Sequence, residues 1–423
     1  MKKIVIIVLL LSSTAYVFAQ PSSDTVRNNG WRNDIDAMLV LMKQQHYVYK
    51  SKPLPAELIT KANELKANLP NYSDERVGLE LEKLMYYMHD GHSYMLPIAV
   101  KRAPNYYMPI QFYLFNDGAY IINADEPYKK LIGCRVTQIN GVSVDKIVSD
   151  MNSYIHQDNA YTVKWFAPTM LRFRAVHETY GLPAASKDVT LNLVGRDGKP
   201  LVEKIEFVPL GDFRGIPKLV PSQLPGAPAA PLYLANIATN FWFERYPEKS
   251  TLYFQFNQVA DMENEMLEAF GSSLDTALTG MKPKLFIIDV RNNNGGNGGL
   301  LQPLIDVIKK YEAGNKQAKI VVITGRNTFS AAQIFIALLN KETHALFAGE
   351  PSSSSPNFVG EEGNTIMLPW SGAIGNISNK YHEQIPGDTR KWIEPDLPVT
   401  LSSKDYFDNR DPVMEAIWKR YGK

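Results

Sequence analysis

The sequence predicts an α/β protein whose C-terminal part is built on a parallel sheet. In that part, three apolar runs suited to strands buried on both faces alternate with two amphipathic segments of helical period. Strands that alternate with helices along the chain form parallel sheets with right-handed crossovers. Ligand sites in such sheets lie beyond the carboxyl ends of the strands. The strands are expected at 284–290, 319–324 and 345–349, and the helices at 300–311 and 330–340.

The composition limits the partners and cofactors of this chain. Its 423 residues carry 45 Lys and Arg against 44 Asp and Glu, a formal charge of +1. A near-neutral chain lacks the basic surface that nucleic acid or an anionic membrane requires, so neither is expected as a partner. Cys134 is the only cysteine, which excludes an internal disulfide and any multi-cysteine metal site. No His-Glu-x-x-His motif occurs, and we expect no metal and no cofactor.

The first 19 residues have the pattern of a cleavable signal peptide. Lys2 and Lys3 precede an apolar run at 4–11, and Val17 and Ala19 are the small residues of a cleavage site. The run is too short to cross the roughly 30 Å of a bilayer core. We therefore expect residues 1–19 to be removed, leaving a periplasmic or secreted protein with no membrane anchor.

A helical subdomain is expected to follow over 22–100. Its hydrophobic positions recur at helical spacing in 31–48 and 74–89. Gly91 is well placed to end the second helix in the left-handed conformation. His92 would then leave the helix end on a fixed path.

From about Met108 the hydrophobic period changes to two, which predicts a β-rich subdomain over 101–210. Asn-Gly and Asp-Gly turns separate its short strands. Five prolines then mark a linker over 211–231, and the core occupies 232–423. Within the β-rich subdomain, the strands are expected at 111–115, 118–123, 134–141, 189–193 and 205–208, and the helices at 144–154 and 163–180.

Ser330 is the first candidate for chemistry, because it lies between a predicted buried strand and a predicted helix. Gln333 follows three residues later, so the pair also fits a capping box that only begins the helix. As a nucleophile, Ser330 would hold its acyl-transfer intermediate near the helix dipole and the N–H of Ala331. The residues leave both interpretations open.

A glycine-rich loop at 292–299 follows the neighbouring strand. It is a poor dinucleotide fingerprint, because Leu301 stands where the third glycine should be. Glycines after a strand can equally bring backbone N–H groups against a substrate carbonyl. A serine at one strand end and exposed N–H groups at the next are the parts of an acyl-transfer site. No Gly-x-Ser-x-Gly surrounds Ser330, which argues against an ordinary α/β-hydrolase.

A serine nucleophile needs a base. Of the seven histidines, His92 is the best placed, because it follows Asp90 and Gly91 at a predicted helix end. A lone histidine is more often structural, so its position alone does not assign it this role.

Five motifs then stand in order along the chain. They are Met-His-Asp-Gly-His-Ser at 88–93, Leu-Phe-Ile-Ile-Asp-Val-Arg-Asn-Asn-Asn-Gly-Gly at 285–296, Val-Val-Ile-Thr-Gly-Arg-Asn-Thr-Phe-Ser-Ala-Ala at 321–332, Phe-Ala-Gly-Glu at 347–350 and Ile-Glu-Pro-Asp-Leu at 393–397. Together they resemble the S41 peptidase family, which contains the C-terminal processing proteases and the tricorn core protease. The resemblance covers about 35–97 and 250–415, and it implies a ClpP/crotonase-like parallel-sheet core.

The resemblance also implies roles for the candidate residues. Ser330 would be the nucleophile and His92 the general base. Gly295 or Gly296, together with Ala331, would supply the N–H groups that bind the oxyanion.

One branch of the family uses a lysine base about one strand beyond the serine, and here 349–356 contains no lysine. The resemblance is therefore to the histidine-containing branch, which adds an acid near the C-terminal motif. Asp388 and Glu394 are both in range, and the sequence does not choose between them. Gly91 stands where the tricorn protease has a serine before its histidine.

The segment 131–142 resembles the Gly…Ile-x-x-Ile-Asn-Gly part of PDZ domains, so the β-rich subdomain is interpreted as PDZ-like. The function that the resemblance implies is an exported serine peptidase cleaving peptides or unfolded chains through an acyl-enzyme. The alternative is a non-catalytic protein of this fold whose crevice holds an apolar ligand or peptide. A serine, a histidine and a glycine loop retained in one chain favour the enzyme.

Overall fold

The fold is taken from a computed structural model that describes residues 23–97, 104–211, 219–222, 224–361 and 364–422. The predicted signal peptide at 1–19 lies outside these ranges, as does part of the predicted linker. Within them, no helix has the length and apolar character that a membrane crossing needs.

Three helices and a short strand form the N-terminal region. The second half of the region differs from the prediction, because His89, not Gly91, takes the left-handed conformation, with φ 57°. The α-helix ends at Met85, earlier than the predicted end at 89, and a 3-10 turn follows through Met88. His89 comes next, where the chain reverses direction. The elements are α1 (Ser23–Gln45), α2 (Ala56–Asn68), α3 (Asp74–Met85) and β1 (Tyr94–Met95).

The next region contains an antiparallel sheet, as the period of two predicts. Strands follow the order β3-β4-β5-β7-β8, and helices pack against them. The prediction of one helix over 163–180 is wrong in one respect, because the structure has two helices there. Phe173 between the halves is extended and bridges to Tyr107. The elements are β2 (Tyr106–Tyr107), β3 (Ile110–Phe115), β4 (Gly118–Ala124), β5 (Arg135–Ile139), β6 (Val142–Ser143), α4 (Val144–Asp150), α5 (Ala160–Met170), α6 (Arg174–Glu178), β7 (Asp188–Val194), β8 (Pro200–Glu206) and β9 (Val208–Pro209).

The C-terminal part contains a six-stranded sheet of order β10-β11-β12-β13-β14-β19. All its neighbouring strands are parallel except β10 with β11, so the predicted strand–helix alternation is confirmed. The strands β11 and β12 are buried along their whole length. The elements are α7 (Leu232–Ala235), β10 (Phe241–Tyr246), β11 (Thr251–Phe256), α8 (Leu267–Met281), β12 (Leu285–Asp289), α9 (Gln302–Gly314), β13 (Lys319–Thr324), α10 (Ala331–Glu342), β14 (Leu346–Gly349), β15 (Phe358–Gly360), β16 (Thr365–Met367), β17 (Ile374–Asn376), β18 (Lys380–His382), β19 (Leu397–Pro398), α11 (Ser403–Phe407) and α12 (Pro412–Tyr421).

Two small antiparallel ladders involve the last part of the chain, and the first of them joins it to the N-terminal region. β1 pairs with β17, and the side-chain amide of Asn376 donates to the carbonyl of His92. β15 pairs with β18, which places Phe358 opposite His382. The segment after α3 is thereby held against the carboxyl end of the parallel sheet.

Candidate active site

Ser330 lies in a sharp turn between β13 and α10. Its backbone has φ 55° and ψ −124°, a conformation that a residue with a side chain rarely adopts. Its side chain makes no cap hydrogen bond to the helix it precedes, and the amide of buried Gln333 has no partner among the described residues. The capping-box interpretation is therefore wrong. Strain of this kind is characteristic of a nucleophile exposed between strand and helix.

The glycine loop at 292–299 packs directly against this serine. A Cβ on Gly295 would lie 2.6 Å from Cβ of Ser330 and 3.0 Å from the nitrogen of Ala331, so only glycine fits there. Phe329 donates its N–H to the carbonyl of Asn293, which ties the serine turn to the loop. The loop and the turn therefore pack as one unit.

Of the three backbone N–H groups expected to bind an oxyanion, one is already used. Gly295 donates its N–H to Oδ1 of Asn293 at 2.9 Å. Val259 pairs with the residues on either side of Gly296, which turns the N–H of Gly296 away from Val259. In the part of the chain that the structure describes, no group accepts a hydrogen bond from the N–H of Gly296 or of Ala331. These two are the donors available to a substrate oxygen.

His92 is held by its backbone. Asp90 accepts hydrogen bonds from the N–H groups of His92 and Ser93 through one oxygen, and its other oxygen bonds to the ring of His46 at 3.0 Å. The N–H of Gly91 donates to Oδ1 of Asp158 at 2.8 Å. The residues around the histidine are thus fixed by two carboxylates, those of buried Asp90 and half-buried Asp158.

The ring of His92 is stacked between two phenylalanines. Its centroid lies 4.3 Å from that of Phe329 and 4.9 Å from that of Phe358. The side chain is buried, and neither ring nitrogen has a hydrogen-bond partner among the described residues. Burial in these apolar surroundings lowers the pKa of His92 to about 3, so the imidazole is neutral at ordinary pH.

The structure therefore brings His92 and Ser330 into one region without a hydrogen bond between them. His92 packs on Phe329, the residue that immediately precedes the serine. A general base must come within about 2.6–3.2 Å of the proton it takes, although catalytic hydrogen bonds are often long before substrate binds.

The structure brings neither candidate acid to His92. The carboxylate of Asp388 binds the guanidinium and the N–H of Arg390. Glu394 is exposed and accepts from the indole of Trp392 at 2.6 Å. Their place in a triad stays a prediction that rests on the resemblance alone.

Sequence reasoning missed Asp158, which lies in an irregular segment with no motif around it. Its second oxygen accepts a hydrogen bond from Oγ of Ser354 at 2.6 Å. Burial, aided by the charge of Asp90, raises the pKa of Asp158 to about 6 even though Ser354 and Gly91 donate to it. Ser354 belongs to the run of four serines at 352–355.

Ser330 opens into a cavity of about 430 Å³ with polar walls. Glu361 on one wall lies 3.4 Å from the ring of His382 and 3.3 Å from the ammonium of Lys380. Nothing in the sequence analysis singled out these three residues. No cluster of three or more His, Cys, Asp or Glu side chains in the described ranges is arranged to hold a metal ion.

Comparison with solved structures decides the fold family. Mature CPAF in complex with lactacystin superposes with a TM-score of 0.64 and 13% identity, over 94% of this chain and 98% of CPAF. A second structure of mature CPAF gives 0.61 and 14%, over 94% and 97%. The chain has the fold of the S41 peptidases. A putative S41 protease from Bacteroides fragilis also matches, with a TM-score of 0.39 and 14% identity over 91% of this chain and 97% of that one.

No sequence-family model matches this chain, and no curated protein matches it. The S41 resemblance in the motifs is thus confirmed through a mixed α/β fold that sequence comparison does not detect. Within that S41 fold, the serine turn, the glycine loop and the histidine segment occupy one region at the carboxyl end of the parallel sheet.

Proposed function

We propose that this protein is an exported serine-type peptidase that hydrolyses peptide bonds of peptides or unfolded chains. The observation that carries the proposal is the strained backbone of Ser330 beside the N–H groups of Gly296 and Ala331, which have no acceptor among the residues that the structure describes. An ordinary N-cap residue would begin the helix without backbone strain. The strain at this serine therefore has no structural purpose, and catalysis is the better explanation.

In the proposed reaction, Oγ of Ser330 attacks the carbonyl carbon of the peptide bond, and His92 takes the hydroxyl proton. The carbonyl oxygen becomes an oxyanion that accepts hydrogen bonds from Gly296 and Ala331. When the C–N bond breaks, the leaving amine takes the proton from His92 and an acyl-serine remains. Water, deprotonated by His92, then attacks the acyl carbon. The bond to Oγ of Ser330 breaks, Oγ takes the proton back from His92, and the acid is released. Asp388 and Glu394 have no part in this scheme because both are bonded elsewhere.

The finer features of the fold belong to the same proposal. We take the six-stranded sheet with its helices as a ClpP/crotonase-like core and the antiparallel region as a PDZ-like subdomain. Export to the periplasm or medium rests on the charged, apolar and small-residue pattern of 1–19. N-terminal sequencing of exported material should start at Gln20, and material starting at Met1 would refute export with cleavage.

Fluorophosphonate labelling tests the nucleophile. The native protein should take up one label, on Ser330, whereas protein denatured before labelling and the Ser330→Ala variant should take up none. Ser272→Ala, a change on the exposed face of α8, is the matched control and should label normally. Lactacystin, which CPAF binds in its solved complex, is a second probe. Folded protein that takes up no label and cleaves no peptide would instead be the binding protein of the alternative interpretation.

A further inference from the structure

A second cavity adjoins the candidate active site on the side of His92. Its volume is about 290 Å³, close to the lower end of the range for ligand pockets. Most of its lining is apolar and comes from the N-terminal region and α5. The apolar side chains include those of Met95, Leu96, Ile155, Trp165, Phe166 and Met170.

This apolar cavity shares its wall with the reacting groups. His92 and Phe329 line it, and Phe329 immediately precedes the nucleophile. Asn294 also lines it and immediately precedes the glycines of the oxyanion loop. If the carbonyl group of a substrate lies at Ser330, the side chain of a neighbouring substrate residue can reach this cavity.

The ionisable groups on the wall of the apolar cavity are already paired or neutral. One oxygen of Glu82 lies 2.5 Å from Nδ1 of His156, and the other accepts from the N–H of Met95 at 2.8 Å. His92 is neutral, and no lysine or arginine is among the described residues that line the cavity. A charged substrate side chain would lose its hydration there without gaining a counter-ion.

The cavity that contains Ser330 has the opposite character. It presents Glu361, Lys380 and His382 and the backbone of the glycine loop. The two cavities thus offer a polar channel for the peptide backbone and an apolar recess beside it.

We propose that the apolar cavity receives a large apolar side chain, that of Phe, Leu or Met, from the substrate residue next to the cleaved bond. This proposal rests on the proposed peptidase function and names its substrate class. Burying such a side chain should raise kcat/KM by about 10- to 100-fold over alanine at the same position.

A peptide-library digest with the full-length protein tests the inference. Cleavage sites should be enriched in Phe, Leu and Met at one position flanking the cut, and depleted in Asp, Glu, Lys and Arg there. Leu96→Trp and Thr169→Phe place bulk in the cavity and should shift the preference to Ala and Gly at that position. Leu201→Trp, on β8 and away from both cavities, is the matched control and should keep the wild-type preference. Fluorophosphonate labelling of every variant reports whether its nucleophile is intact.

The outcomes separate the two claims. Normal labelling with a shifted preference supports the apolar cavity as the specificity site. Normal labelling with no apolar preference in the wild type, or with no shift in either filled variant, overturns it and leaves the peptidase proposal standing. A wild-type protein that takes up no label and cuts nothing overturns both.

Discussion

Replacing Ser330 with glycine should make the protein more stable while it abolishes hydrolysis. The backbone at φ 55°, ψ −124° costs a residue with a side chain about 1–3 kcal/mol. Glycine avoids this strain and loses about 0.5–1 kcal/mol through its greater freedom in the unfolded chain. The net gain is on the order of 1 kcal/mol. Ser330→Ala keeps the strain and loses no cap hydrogen bond, so its stability should stay within about 0.5 kcal/mol of the wild type.

Ser143 provides the matched control, because it begins α4 with ordinary geometry and accepts a hydrogen bond from the N–H of Lys146. There the usual order of N-cap residues should hold, with alanine costing about 1 kcal/mol and glycine a few tenths. The expected order of stability is therefore Gly above Ser and Ala at position 330, but Ser above Gly and Ala at position 143.

Native-state hydrogen exchange of α10 is the appropriate measurement, since a protein with several cores need not unfold in two states. The amide of Ile334 reports directly, because it donates to the carbonyl of Ser330. If Ser330→Gly exchanges faster than the wild type, the turn is not strained. If Ser330→Ala loses about 1 kcal/mol, the serine is a cap after all, and its geometry no longer indicates a nucleophile.

Three further predictions follow from the site. Gly295→Ala should abolish labelling of Ser330, because the added Cβ would overlap the serine. Gly181→Ala is the control, since Gly181 has φ 87° and open space around it, and this variant should label normally. Equal labelling of the two variants would contradict the packing of Gly295 against Ser330. Between pH 7 and 4.5 the wild type should lose about 2–3 kcal/mol of unfolding free energy through His92. Its lowered pKa, about 3, leaves the folded state unable to take the proton that the unfolded state binds below about 6.5. Denaturant titrations of His92→Phe should show a correspondingly flatter pH dependence, and an unchanged slope would mean that the ring is hydrated. Asp388→Asn and Glu394→Gln should each change kcat by less than about threefold, and a loss of 10² in either would show that its carboxylate reaches His92 during turnover.

The sequence was sufficient to predict the parallel sheet, because its strands are continuous apolar runs separated by helices of the right length. The run expected at 284–290 forms β12 over Leu285–Asp289, and the strand at 319–324 is found unchanged as β13. Burial on both faces makes such strands visible in the amino-acid order itself.

The sequence could not predict features set by contacts between distant residues. Ser330 and Gln333 match a capping box. In the structure Gly295, 35 positions earlier, packs against a strained turn at Ser330, and the local pattern cannot predict that contact. Phe358 stacks on the ring of His92 from β15, a strand that pairs with β18 near the end of the chain. Local spacing carries no information on either contact.

The state of His92 indicates how the proposed site would work. Its two ring nitrogens are buried and have no hydrogen-bond partner in the described part of the chain. Such groups cost a folded protein about 1–3 kcal/mol each, and native proteins rarely keep them without a function. A hydrogen bond from Oγ of Ser330 would recover part of that cost, and the imidazolium formed during attack would be stabilised by the oxyanion beside it. The stacked rings of Phe329 and Phe358 meanwhile cover the two faces of the imidazole. His92 is thus a weak base in the free protein and becomes a stronger one when the oxyanion of a bound substrate lies beside it. Its reactivity is thereby directed to a bound peptide and away from solvent.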